Sequence, residues 1–291
     1  MIPMRQSGAK EQNALLKEQW TGRRPAAEPP PPAKRAPRTR ARSNRAWLSQ
    51  ARKEFGLGRP GDVILLGGAS VVDYRVRLAQ SHARHDLTPS YWSQVGLVKN
   101  DDEMYSVSLD TWPDPAKVPA TNAIATIPLS AYDDGWRYPN IALLRFPGVQ
   151  GSVLNAANRL KRQRSVADLP ALIVEWLGFV WGNSGSGNPL VAGFGVPSAV
   201  LVEIAFGLVQ VELTPGLASA SSCPEAIWQS VKWWQEFYAA TAPGQTEGSA
   251  PTIETSPWGR YVTRQKLASY LDPDPDPEPD PEPESELVPA T

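Results

Sequence analysis

The 291-residue sequence holds a single cysteine and two histidines. One cysteine excludes a disulfide framework and any Cys-rich zinc module, and two histidines are too few for a histidine-built metal site. No apolar run approaches the roughly 18 residues that a bilayer crossing needs. The opening MIPMRQSGAKEQNALLKEQW lacks the apolar core of a secretory signal. The expectation is a protein made in the cytoplasm without a transmembrane segment, with non-Sec export left open. The glycine-serine stretch GNSGSGNP lacks the Lys and the strand-to-helix setting of a phosphate loop, so it reads as a flap or connection. No metal and no cofactor is called for.

What the chain does have is proline, tryptophan and charge at its ends. Its formal charge is -1, yet residues 1–45 carry 11 Lys/Arg against 3 Asp/Glu, and residues 271–291 carry 8 Asp/Glu and no basic residue. The same two stretches hold 14 of the 30 prolines. Such segments bury too little apolar surface to offset chain entropy, which predicts a disordered basic tail, 1–45, and a disordered acidic tail, 271–291. Between them, residues 46–270 carry 10 of the 11 tryptophans, enough for one domain with a substantial core.

Hydrophobic spacing predicts helices over 44–55, 71–82, 152–164, 169–181, 199–206 and from Ser222 onward. Strands are expected near 63–66, 94–98, 103–109 and 138–146, with a further short one at 209–213. The Pro- and aromatic-rich segment 112–138 reads as a long loop with one short helix near 128–133. The whole is an α+β pattern with an antiparallel sheet packed against helices.

Cys223 is the position where chemistry is most readily argued. It stands where SCPEAIWQSVKWWQEF begins a helix, with Pro224 and Glu225 suited to a first turn. Backbone N–H groups at a helix start favour a thiolate and are placed to hold an oxyanion. A lone cysteine is also commonly a small buried apolar residue.

The motifs upstream add a resemblance. Gly61-Asp62 opens the strand GDVILL, a helix and a loop ending in Ser93 follow, Gln94-Val95-Gly96-Leu97-Val98 opens a second strand, and EMYSVSLD forms a third. With Cys223 far downstream, this order over about residues 60–240 resembles the circularly permuted papain-like thiol hydrolases, which include the lecithin:retinol acyltransferases and NlpC-type amidases. The resemblance implies a permuted papain-like fold and attack by Cys223 on an amide or ester. It implies that Asp110 orients the base. Where that family has His before Val-Gly, this chain has Gln94, which accepts no proton from a thiol near neutral pH.

Three readings follow. The fold is retained in a catalytically silent binding or structural component, the cargo or effector of a larger assembly. Alternatively, His85 or His82 supplies a displaced imidazole. In the third reading, Cys223 reacts as a helix-stabilised thiolate, with Gln94 as an oxyanion donor. The tryptophans Trp176, Trp181, Trp228, Trp233 and Trp234 read as core, or in part as the lining of an acyl pocket beside Cys223. The segment KRAPRTRARSNR reads as a docking element for a protein partner or an anionic surface, either nucleic acid or membrane, and equally as a tether, an export address or an inert solubilising tail.

Overall fold

The computed structural model describes residues 43–84, 86–109, 122–146, 148–163, 168–182, 185–241 and 260–264. All of them lie in one compact unit, Ala41–Thr291. Both predicted tails lie outside the described residues, except for the last three positions of the basic one.

Six strands form one antiparallel sheet: β1 (Val63–Gly67), β2 (Gln94–Val98), β3 (Glu103–Ser106), β4 (Ala125–Pro128), β5 (Asn140–Arg145) and β6 (Arg260–Arg264). Their spatial order is β4-β3-β2-β1-β5-β6. The aliphatic runs VILLG and NIALLR belong at the centre, where both faces are covered, and β1 is indeed buried along its whole length. Among the described residues there are six α-helices: α1 (Asn44–Phe55), α2 (Val71–Ala79), α3 (Gln150–Arg162), α4 (Leu169–Val180), α5 (Pro197–Gly207) and α6 (Pro224–Thr241). The helix starts follow local chemistry. Ser43 and Ser70 accept from the N–H groups of Ala46 and Asp73, Asp168 accepts from Ala171, and prolines stand in the first turns of α4 and α5.

Side-chain alternation divides the sheet into two faces. Val63, Leu65, Val95, Leu97, Tyr105, Ala142 and Leu144 point to one side and pack with α2 to α6. Ile64, Leu66, Val98, Met104, Ile141 and Leu143 point to the other, against Leu48 and Ala51 of α1 and against Leu129 and Tyr132 of a 3-10 turn, Leu129–Tyr132. The register agrees throughout: Leu65 faces Val95, Leu66 faces Gln94, Val98 faces Met104, and Leu143 faces Val262.

Several expectations need correction. The 209–213 segment is not a strand: Val211 N–H returns to Phe206 O, Gln210 takes φ 63°, and Leu213 O accepts from Ser230 Oγ. It packs among the helices, and among the described residues no strand pairs with it. The alternating VQVEL pattern serves helix packing instead. The third strand ends at Ser106, and α5 begins two residues earlier than expected, at Pro197. Strands β4 and β6 are additions; each is a short edge strand. No described helix is long and apolar enough to cross a membrane.

Candidate functional site

The strand motifs have structural work to do. Asp62 is fully buried and holds Arg145 on β5 in a bidentate pair, 2.7 Å at each oxygen, while accepting from Arg59 N–H. Gly61 takes φ +87°, and a Cβ there would fall 2.6 Å from Gln150 O at the start of α3. The Gly-Asp pair thus turns the chain into β1 and clamps β1 to β5.

At the start of β2 the sheet opens. β2 pairs with β3 only at Leu97–Tyr105 and Val98–Met104. Upstream of that, side chains take over the ladder. Val95 N–H donates to Ser198 Oγ at 3.3 Å, Ser106 Oγ donates to Val95 O at 2.7 Å, and Gln94 Nε2 donates to Ser106 Oγ at 3.0 Å. Buried backbone groups need such partners when a ladder splays. Ser198, in the first turn of α5, is therefore the helix-start residue that meets this strand. Sequence reading missed it. The available signal was Pro197-Ser198 standing before the apolar run AVLVEIAF, a proline-marked helix start.

Cys223 is placed elsewhere. Its carbonyl accepts from Ile227 N–H, so it immediately precedes α6. Ser222, just before it, turns its hydroxyl to Glu203 at 3.0 Å. Only 4% of Cys223 is exposed, and it belongs to the core cluster shared with Trp92, Trp228 and Ile227. Burial pushes its thiol up to about 12, against the backbone N–H groups of Ala226 and Glu225 that favour the thiolate; the Glu225 and Glu203 carboxylates add to the rise. The expected helix-activated thiolate is thus reversed, because desolvation outweighs the helix start. The Glu225 N–H, expected to be open to an oxyanion, donates to Gln80 Oε1 at 2.9 Å.

Gln80 joins three elements, since its Nε2 also donates to Val76 O at 2.9 Å and Trp92 O at 2.8 Å. Glu225 is fully buried. It accepts from Ser90 Oγ at 2.6 Å and Gln229 Nε2 at 2.5 Å, with Arg84 at 3.7 Å. The segment before Cys223 is strapped equally closely. Gly195 and Val196 N–H groups donate to Ala220 O and Ser222 O, and a Cβ on Gly195 would fall 2.6 Å from Ser222 O.

Gln94 and Cys223 stand on different faces. Gln94 is opposite Leu66 in the register and shares its face with Val98 and Met104, whereas Cys223 lies in the cluster on the helix-bearing side. The expected alignment of strand residue and nucleophile is not made.

Of the remaining candidates, Asp110 and His85 lie outside the described residues. His82 is exposed in a 3-10 turn, with Nδ1 3.0 Å from Ala79 O. The tryptophans divide. Trp176 and Trp228 are buried, with Trp228 edge-on to Trp92 at 5.2 Å, while Trp181 and Trp233 are 58% and 55% exposed. A groove of about 750 Å³ opens beside Arg45, Asp101, Asp102, Glu103 and Ser130, at the β2–β3 turn, and Cys223, Gln94 and His82 do not line it. Asn188 ties the glycine-serine connection to Ala79 O. No family model and no curated protein matches the chain.

Proposed function

We propose that this chain is a catalytically silent binding or structural component, built on an α+β domain and docked to a larger assembly through its charged ends. The observation that carries the reading is the state of Cys223: a neutral thiol shut in the core, with the first N–H of its helix taken by Gln80 and with Gln94 on the opposite face of the sheet. A nucleophile needs a base within hydrogen-bond reach and an oxyanion site open to substrate. Cys223 has neither among the described residues.

The docking half of the reading rests on charge. The two ends carry about +8 and -8, and opposite fields of that size act on association with charged partners rather than on folding. The test is acyl transfer itself. The full chain and its Cys223→Ala variant are given activated esters and a peptide amide panel, and turnover is followed. Equal background rates support the silent component. A burst of acylation that disappears with Cys223→Ala restores the alternative, a cysteine hydrolase or acyltransferase acting through Cys223.

A further inference from the structure

Helix α4, LPALIVEWLGFV, is apolar almost throughout, with Glu175 its one charged residue. A helix that is apolar on every side calls for cover on every side. Only part of α4 has it. Leu169, Trp176 and Val180 are buried, and Trp176 Nε1 donates to Gly195 O. Val174 is 67% exposed, and Trp181 at the C-terminal end is more than half exposed. α2 packs beside α4 and adds the exposed Val71 and Leu78. Single exposed apolar side chains are ordinary, but a run of them along one helix and its neighbour marks a contact surface.

The spacing on α4 indicates what fits there. Ala171, Val174, Gly178 and Trp181 follow at intervals of three, four and three residues, so they share one face and form the repeat of a helix-packing seam. Ala171, Val174 and Trp181 are exposed; Gly178 is half-buried, with Ser186 Oγ 3.2 Å from where a Cβ would stand. Small and large residues alternate along the seam. Against an identical helix running the other way, about a two-fold axis level with Trp176, Val174 meets Gly178 of the second copy and Ala171 meets its Trp181. Every bulky side chain then faces a small one. A parallel pairing sets Val174 on Val174 and Trp181 on Trp181. The antiparallel alignment also matches charge at each end. The Arg75 guanidinium donates to Val180 O and lies against Gly182. Along the axis that position is only about 3 Å from the second copy's Asp168, the residue that caps α4.

We propose that the exposed face of α4 binds a second copy of this chain, the two helices pairing antiparallel through Ala171, Val174, Gly178 and Trp181. The seam is about 15 Å long, with Val71 and Leu78 of α2 at its flank. Such a contact falls short of the roughly 1,200 Å² that a stable interface buries, so the dimer is a weak one, with Kd of about 10–100 µM. Glu175 flanks the seam near the axis, opposite its own symmetry mate, and this like-charge pair holds the affinity down. Glu175 near the middle of the face and Asp168 at one end also make it a poor match for an anionic lipid surface.

The test is sedimentation velocity of the full chain from about 2 to 200 µM, a range that brackets the expected Kd. The sedimentation coefficient should rise from monomer towards dimer across it. Val174→Asp, at a position too exposed to carry the fold, should abolish the rise and leave the melting temperature unchanged. Glu175→Gln should tighten association about threefold, and Asp168→Asn, which keeps the helix cap, should weaken it about threefold. Cross-linking reads the register. Under mild oxidation Glu175→Cys should give a disulfide-linked dimer, because its two sulfurs face each other near the axis. In Ala171→Cys the two sulfurs stand about 15 Å apart along the seam and should not link. Cys223 is buried and takes no part. A chain that stays monomeric at the highest concentration overturns the proposal, whether or not it binds lipid vesicles. So does a Val174→Asp variant that still dimerises, or an Ala171→Cys variant that links as readily as Glu175→Cys. If Val174→Asp lowers the melting temperature, the cross-linking pair decides alone. No outcome here depends on acylation of Cys223, so the dimer and the silent-component reading stand or fall separately.

Discussion

The two faces of the sheet are filled by different means. On the α1 side, Leu48, Ala51, Ile64, Leu66, Met104, Ile141 and Leu143 meet mainly by shape, with Tyr132 and Tyr138 edge-on at 4.9 Å. On the other side, five helices converge, and their starts and connections are tied by buried polar groups: Gln80 to Glu225, Glu225 to Ser90, Glu203 to Thr214 and Ser222. Helix starts leave N–H groups without intrahelical partners, so a face that collects helix starts needs side chains that accept from them. The difference explains how a cysteine at a helix start becomes a closed core residue. Glu225 N–H is shared with Gln80, and burial outweighs the N–H groups that still favour the thiolate.

The largest way to break this contrast is to remove the polar tie at Gln80. Gln80→Ala strands Glu225 N–H and Trp92 O in the interior, and should cost about 3 kcal/mol in urea denaturation. A loss below about 1 kcal/mol would mean that the helix-bearing face is held mainly by shape, like its counterpart.

Glu203 gives a smaller, pH-resolved effect. Burial raises its carboxyl above the ordinary value of 4.5, against the hydrogen bonds from Thr214 and Ser222 that lower it. A raised native pKa makes a contribution to stability that is complete below 4.5 and lost as pH rises through the native value. Glu203→Gln removes that loss. The variant should match the wild type near pH 4 and be the more stable of the two near pH 8, read by thermal denaturation across pH. A constant difference over this range would show that Glu203 does not titrate between the two states.

The smallest expected effect sharpens the separation of the faces. Gln94→His restores the residue of the resembled motif, but on the face opposite Cys223. Cys223 labelling should therefore change by less than about twofold, within the scatter of a change that leaves its thiolate fraction untouched. A marked acceleration would place position 94 within reach of the sulfur.

These faces were only partly legible in the sequence. The central strands announced themselves as aliphatic runs between glycines, and α3 through Val153, Ala156, Ala157 and Leu160, all of which are buried. Edge strands carry weaker signals. ATIP in β4 is short and half exposed, and RYVTR in β6 offers a single aliphatic residue to the α1 side, Val262. The spacing of motifs gave their order along the chain but not their side of the sheet. A helix-initial Cys and a strand-initial Gln are compatible with either face; register decides, and register is a tertiary property. Ser198 was hidden for the same reason, since a serine after proline reads as an ordinary helix start until a splayed strand is found beneath it.

The central claim is that Cys223 is a closed, neutral thiol, and iodoacetamide labelling of the native full chain from pH 5 to 9, followed by mass spectrometry with an unfolded control, tests it most directly. The structure predicts labelling far slower than in the unfolded chain at every pH, accelerating with urea in step with opening of the core. Fast native labelling that already reaches its plateau below about pH 7 would reveal an activated thiolate and contradict the account.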